Sequence, residues 1–180
     1  GCIDSVVTSI ATAVTPVAKF SAPSGCAGAP LSFSSASTVS SGTITAWQWD
    51  FGDGSPLINI PSVTHSYANP GSYNVYLTVS SNNGCNHTVF HEVSVSAKPS
   101  PSFTNTLNCK MDSVHLVSTS TTVNGSISYL KWDFGDGSYL TGSDNAYHIY
   151  ADSGFYHVGL IVGNTLGCND TAYRNVYVKP

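Results

Sequence analysis

The chain has 180 residues, of which only 9% are charged, and 6 Lys and Arg against 10 Asp and Glu give a net charge of −4. No basic cluster could neutralise phosphates, so nucleic acid is not an expected partner, and no apolar run nears the ~20 residues of a membrane-spanning helix. With 41% hydrophobic and 11% aromatic residues the chain can build a core, while 45 Ser and Thr favour a β protein outside the cell.

In chain order, the first element is a strand-like segment within residues 1–15, with no leader-like run after Gly1. Gly1-Cys2-Ile3-Asp4-Ser5-Val6-Val7 aligns with the segments starting at Gly84-Cys85 and Gly167-Cys168. It reads as the last strand of a preceding, truncated repeat, with an N-terminal extension as the alternative. A period of 83 residues separates Cys2, Cys85 and Cys168, and likewise Cys26 and Cys109, Trp49 and Trp132, His65 and His148, and Tyr67 and Tyr150. Sliding residues 16–97 onto 99–180 without a gap gives 30 identities, so the body is two copies of one module. The expected domains are 16–98 and 99–180.

Within each copy, Trp47, Trp49 and Phe51, and then Leu130, Trp132 and Phe134, share one face of a strand. Gly52-Asp53-Gly54-Ser55 and Gly135-Asp136-Gly137-Ser138 follow as turns. Tyr73, Val75, Leu77 and Val79, repeated as Tyr156, Val158, Leu160 and Val162, alternate with polar positions over a second strand. No segment carries a helical stripe. Short strands with turns every 8–12 residues predict an all-β chain of tandem immunoglobulin-like β-sandwiches of about seven strands each, with a closed barrel as the alternative.

Trp49-Asp50-Phe51-Gly52-Asp53-Gly54-Ser55 and its copy from Trp132, each followed by His-x-Tyr and Gly-x-Tyr-x-Val-x-Leu-x-Val, resemble the signature of the PKD (polycystic kidney disease) domain. The resemblance covers nearly all of residues 16–180. It implies a seven-stranded, immunoglobulin-like sandwich from the extracellular part of a larger protein. The early cysteine and the late Gly-Cys make the repeats similar to those of large secreted proteins of the Bacteroidota.

The motif residues Trp49, Asp50, Phe51, Gly52, Asp53, Gly54, His65 and Tyr67, with Trp132, Asp133, Phe134, Gly135, Asp136, Gly137, His148 and Tyr150, read as a core edge and a tight corner rather than a catalytic constellation. Hydrolase elbow, zinc-protease, phosphate-loop and dinucleotide motifs are lacking, and no cysteine pair has zinc spacing. No cofactor is expected and the chain is read as non-enzymatic. Asp50, Asp53, Asp133 and Asp136 are weak calcium candidates, suggested by calcium binding in some members of the resembled family, but too few for tight coordination.

One disulfide per module is the simplest pairing consistent with the repeat, Cys26 with Cys85 and Cys109 with Cys168, leaving Cys2 unpaired. Intermodule pairing, such as Cys2 with Cys26, is the alternative. Asp-Ser/Thr-aliphatic triplets make Ser5, Ser113 and Thr171 candidates for O-glycosylation, and Asn86, Asn124 and Asn169 open formal N-glycosylation triplets.

Two functions fit these residues. One is a structural or adhesive array, a semi-rigid spacer or filament whose partners are neighbouring repeats or other copies. The Pro-rich connector around Pro99 and Pro101 suggests a rod of roughly 70–80 Å for two modules. The other is a set of accessory modules of a secreted hydrolase that bind polysaccharide or protein through exposed aromatics, for which Tyr76, Tyr129, Tyr139 and Tyr177 are candidates.

Overall fold

The computed structural model describes residues 14–106 and 109–180. Expectations for the segment 1–15, for Cys2 and for Ser5 fall wholly or mainly outside the described residues. Those residues form thirteen strands: β1 Gly25–Cys26, β2 Pro30–Ser34, β3 Ile44–Asp50, β4 Ser62–Ser66, β5 Gly71–Ser81, β6 Asn86–Ser96, β7 Phe103–Asn105, β8 Ser113–Ser118, β9 Ile127–Asp133, β10 Tyr139–Thr141, β11 Asn145–Ile149, β12 Gly154–Asn164 and β13 Asn169–Val178. No helix among them is long and apolar enough to cross a membrane.

The chain divides into two compact units. Among the described residues, the first holds 14–23 together with Pro30–Ser66 and Ser72–Val93; the second holds Ser24–Ala29, Tyr67–Gly71 and Ser94–Pro180. The second unit thus recruits three short pieces that the sequence repeat places in the first copy, Ser24–Ala29, Tyr67–Gly71 and Ser94–Lys98.

In the second unit, β12 is the central strand of the β10-β9-β12-β13 sheet, antiparallel to both β9 and β13. Leu160 pairs with Trp132 on one side and Ala172 on the other. The opposing sheet runs β11-β8-β7. Alternation fixes which residues meet between the layers. Val158, Leu160 and Val162 point inward from β12, Trp132 and Leu130 from β9, Val114 and Leu116 from β8, and Val176 and Val178 from β13. Phe103 meets Trp132 edge to face at 5.1–5.2 Å between centroids, as Phe20 meets Trp49 in the first unit.

The first unit repeats this logic. Phe33 from β2, Trp49 from β3, and Val75, Leu77 and Val79 from β5 are all buried. β2 pairs with β4 from Pro30↔Ser66 to Ser34↔Ser62, and β3 with β5 from Ile44↔Ser81 to Asp50↔Tyr76. Phe20 makes only an isolated bridge to Ser35, where the second copy has the strand β7 starting at Phe103. Each Trp and Phe side chain in such a core contributes roughly 3–5 kcal/mol on truncation to Ala.

Candidate functional corner and cysteine sites

The corner after β3, and its twin after β9, is built by hydrogen bonds that the carboxylates accept. Asp50 Oδ1 accepts from Gly52 N at 2.9 Å and Asp133 Oδ1 from Gly135 N at 3.0 Å, which turns the chain as it leaves the strand. Asp53 Oδ1 accepts from Ser55 N at 3.0 Å, and Asp136 Oδ1 from both the amide and the hydroxyl of Ser138, at 3.0 and 2.6 Å. The second oxygen of each faces a histidine, Asp53 Oδ2 to His65 Nε2 at 2.7 Å and Asp136 Oδ2 to His148 Nε2 at 2.6 Å.

These histidines lie flat on the motif phenylalanines. Phe51 and His65 stack with centroids 4.0 Å apart, Phe134 and His148 at 4.1 Å. Beneath them, Trp49 Nε1 donates to Ile60 O at 2.8 Å and Trp132 Nε1 to Ser143 O at 2.9 Å, so both fully buried indoles keep a partner. In the second unit the Tyr150 hydroxyl donates to Phe134 O at 3.0 Å. Burial, and next the nearby Asp136 charge, push the Tyr150 phenol well above its ordinary range.

Partial burial acts to raise the Asp136 pKa, but the bonds from the Ser138 hydroxyl, His148 and the Ser138 amide outweigh it and bring it down to about 2. Asp53 is lowered in the same way, with burial opposed by Ser55 and His65. The corner therefore consists of a latched turn. Of the calcium candidates, Asp53 and Asp136 engage both oxygens with turn groups and histidine, whereas Asp50 and Asp133 each engage Oδ1 with a turn amide, and no group of three His, Cys, Asp or Glu able to hold a metal occurs among the described residues.

Comparison with known proteins places this geometry. The family model for the PKD domain matches residues 13–95 and again residues 96–178. The chain belongs to the PKD domain family. Among curated relatives, it is 40% identical over 74 residues to a "Microbial collagenase" of Vibrio alginolyticus, an alignment covering 41% of the chain and 9% of that protein. It is 51% identical over 43 residues to "Collagenase ColA" of Clostridium perfringens, covering 24% of the chain and 4% of that protein. The chain thus spans less than a tenth of either relative. Among solved structures, it is 29% identical to the PKD1 domain of the Vibrio cholerae metalloprotease PrtV, over 46% of this chain and 99% of that one, with a TM-score of 0.43. The insect immune protein hemolin aligns over 96% of this chain and 48% of that chain at 13% identity, with a TM-score of 0.47.

The cysteines of the two PKD repeats correct the sequence expectation. Cys26 is bonded to Cys168 with a Cα–Cα distance of 5.7 Å, and Cys85 and Cys109 are free. The bridges expected within each repeat, Cys26–Cys85 and Cys109–Cys168, are therefore not formed. The reason is strand length. Cys168 immediately precedes β13, whereas Cys109 bridges Lys179, just past that strand's far end. Some ten residues at about 3.3 Å each separate the two by roughly 35 Å, far beyond disulfide reach. Cys26 instead pairs in parallel with Ser96 at the end of β6. There the loop carrying Cys168 arrives, with Asn164 Nδ2 donating to Ala97 O at 3.0 Å.

Of the candidate O-glycosylation residues, Ser113 opens β8 and is exposed, and Thr171 is half-buried in β13. Tyr76, Tyr129, Tyr139 and Tyr177 are all exposed. Sequence reasoning missed Tyr173, whose ring covers Gly159 so closely that a Cβ there would stand 2.8 Å from it. Tyr129 lies over Gly163 more loosely, its own Cβ 3.2 Å and its ring 3.6 Å from where a Cβ on Gly163 would stand. The signal was a glycine in mid-strand opposite a tyrosine.

Proposed function

We propose that the chain is a non-catalytic, extracellular segment of a larger surface or secreted protein, in which serial PKD repeats act as a semi-rigid spacer or filament-forming array. The observation that supports this reading is the Cys26–Cys168 disulfide, which ties a cysteine of the first PKD match to one of the second beside Ser96 and Ala97. Such a bond persists in oxidising surroundings outside the cytosol, and a covalent clamp beside the connector limits its freedom. The cysteine-containing repeat type, similar to that of large Bacteroidota proteins, and modification of Ser113 or Thr171 belong to the same reading. Small-angle X-ray scattering of the chain with and without reductant tests it. An extended particle of roughly 70–80 Å that gains flexibility on reduction is expected; a compact or equally flexible profile in both states counts against it.

The aromatic face of the second unit favours a second reading, an accessory module that binds a fibre or polysaccharide. Tyr173 and Tyr129 lie over glycines on the outer side of the β10-β9-β12-β13 sheet, with Tyr139 beside Lys131. The similarity to stretches of two collagenases makes insoluble collagen the first substrate to try. Retention on collagen that Tyr173→Ala and Tyr129→Ala abolish would support this reading over the spacer.

A further inference from the structure

Among the described residues, the two cysteines left as thiols are the repeat mates of the two that are bonded. Cys109 lies 83 residues after Cys26, and Cys85 lies 83 before Cys168. The backbone around Cys109 reproduces that around Cys26 bond for bond. Cys26 bridges Ser96 and Cys109 bridges Lys179, both in parallel. Ala27 N donates to Ser96 O at 2.9 Å, Gly28 N to Tyr67 O at 2.8 Å and Ala29 N to Cys26 O at 3.0 Å. In the second copy, Lys110 N donates to Lys179 O at 2.8 Å, Met111 N to Tyr150 O at 3.1 Å and Asp112 N to Cys109 O at 3.1 Å.

This loop keeps its shape even where the residue resists it. Gly28 has φ 76°, and its counterpart Met111 has φ 68°, the one positive-φ residue other than glycine among those described. The late loops match as well. Ser81 N donates to Cys85 O at 2.8 Å and Gly84 N to Ser81 O at 3.0 Å, as Asn164 N does to Cys168 O at 2.9 Å and Gly167 N to Asn164 O at 3.1 Å. Early and late cysteines therefore sit in two distinct, twice-built settings, and the bonded pair takes one of each. Cys109 is exposed and Cys85 is partly so.

We propose that Cys109 is a socket for Cys85 of a second copy of this chain, forming head to tail the same early-to-late bond that Cys26 makes with Cys168. The joined surfaces are different patches, so the linkage leaves one free cysteine of each kind and propagates as an open chain. The oxidant is a small disulfide such as oxidised glutathione. The Cys109 thiolate attacks one of its sulfurs and a glutathione thiolate leaves. The Cys85 thiolate of the second copy then attacks the Cys109 sulfur of the mixed disulfide and expels the second glutathione. Both thiol protons end on the two released glutathiones, so one disulfide is consumed and one is made.

This inference rests on the array reading, and its test is chosen to fail separately. In a Cys2→Ser background, one chain carries Cys85→Ser and keeps Cys109, and another carries Cys109→Ser and keeps Cys85. Both substitutions fall on free thiols, and recovery of the Cys26–Cys168 peptide confirms the fold of each. The chains are held singly and mixed, at about 1 mM to offset the missing tether, in a glutathione redox buffer and then run without reductant. The mixture is expected to give at least about fivefold more disulfide dimer than either chain alone, mapped to a Cys109–Cys85 peptide, and the Cys2→Ser parent a ladder beyond the dimer. Equal dimer in the single-chain samples, no dimer in the mixture, or dimers joined through Cys26 or Cys168 would overturn it. If the dimer fails while scattering still shows an extended particle that loosens on reduction, the socket falls and the spacer stands.

Discussion

Replacing Gly135 and Gly137 separately by alanine distinguishes two reasons for glycine in one corner. Both have left-handed backbones, φ 77° and 93°. A Cβ on Gly137 would meet nothing within 4 Å, so Gly137→Ala carries only the conformational cost, about 1–2 kcal/mol. A Cβ on Gly135 would stand 2.8 Å from His157 O and 2.9 Å from His157 N, backbone atoms of β12 that cannot rotate away. Relief requires lifting the corner off the strand whose Val158 and Leu160 are fully buried. Overpacking of that kind adds about 1–3 kcal/mol, for a total of about 2–5 kcal/mol. At roughly 4–8 °C per kcal/mol for a unit of this size, Gly135→Ala should lower the melting midpoint by at least about 10 °C, and Gly137→Ala by roughly half as much. Differential scanning calorimetry of the oxidised chain reads both. The first repeat supplies an internal check, since a Cβ on Gly52 would lie 2.5 Å from Asn74 O and one on Gly54 meets nothing within 4 Å. Equal shifts for Gly135→Ala and Gly137→Ala would refute the assignment of crowding to Gly135.

Removing the disulfide by Cys168→Ser opens a loop with a sequence separation of 142. The chain-entropy ceiling is about 5 kcal/mol and the usual yield about 2–4 kcal/mol. Urea titration should show that loss, reductant should reproduce it, and Cys85→Ser should change the unfolding free energy by less than about 0.5 kcal/mol. The Asp136 pKa is about 2, depressed from 3.8, so its contribution is complete above about pH 5 and is lost as the pH falls through 3.8 towards 2. Discounted for its exposure to solvent the contribution is about 1 kcal/mol, and acid titration of Asp136→Asn should be flatter than wild type across that window. Since the corner carboxylates already serve amides and histidine, millimolar calcium followed by chelator should move the melting midpoint by less than about 1 °C; a saturable rise with calcium would show otherwise.

Most of the fold was legible because the 83-residue offset reports the same pattern twice. Val75, Leu77 and Val79 and their mates Val158, Leu160 and Val162 are all fully buried, where strict alternation put them. Trp47 shares a strand face with Trp49, yet it is only half-buried while Trp49 is fully so. Periodicity assigns a side, and only packing decides how far the opposite layer reaches. The corner could be read from Gly-Asp-Gly chemistry, but the latching of His65 and His148 could not, because it depends on strands twelve residues away in sequence. The cysteine partners were illegible for a geometric reason. A repeat shows which cysteines are equivalent and says nothing about which end of a ten-residue strand each occupies, and that end decides what each can reach.

The Cys26–Cys168 bond also has a mechanical meaning. Tension applied at the two ends of the chain enters at Cys26 and passes straight through sulfur to Cys168, so everything between them is out of the load path. At roughly 3.5 Å per extended residue, the separation of 142 shelters about 500 Å of contour length. Pulled in oxidising surroundings, the protein can lengthen only by peeling its outer segments, Phe20 from Trp49 and β13 from the second core, while the chain between the two cysteines bears no load. A reductant converts the same molecule into a shock absorber.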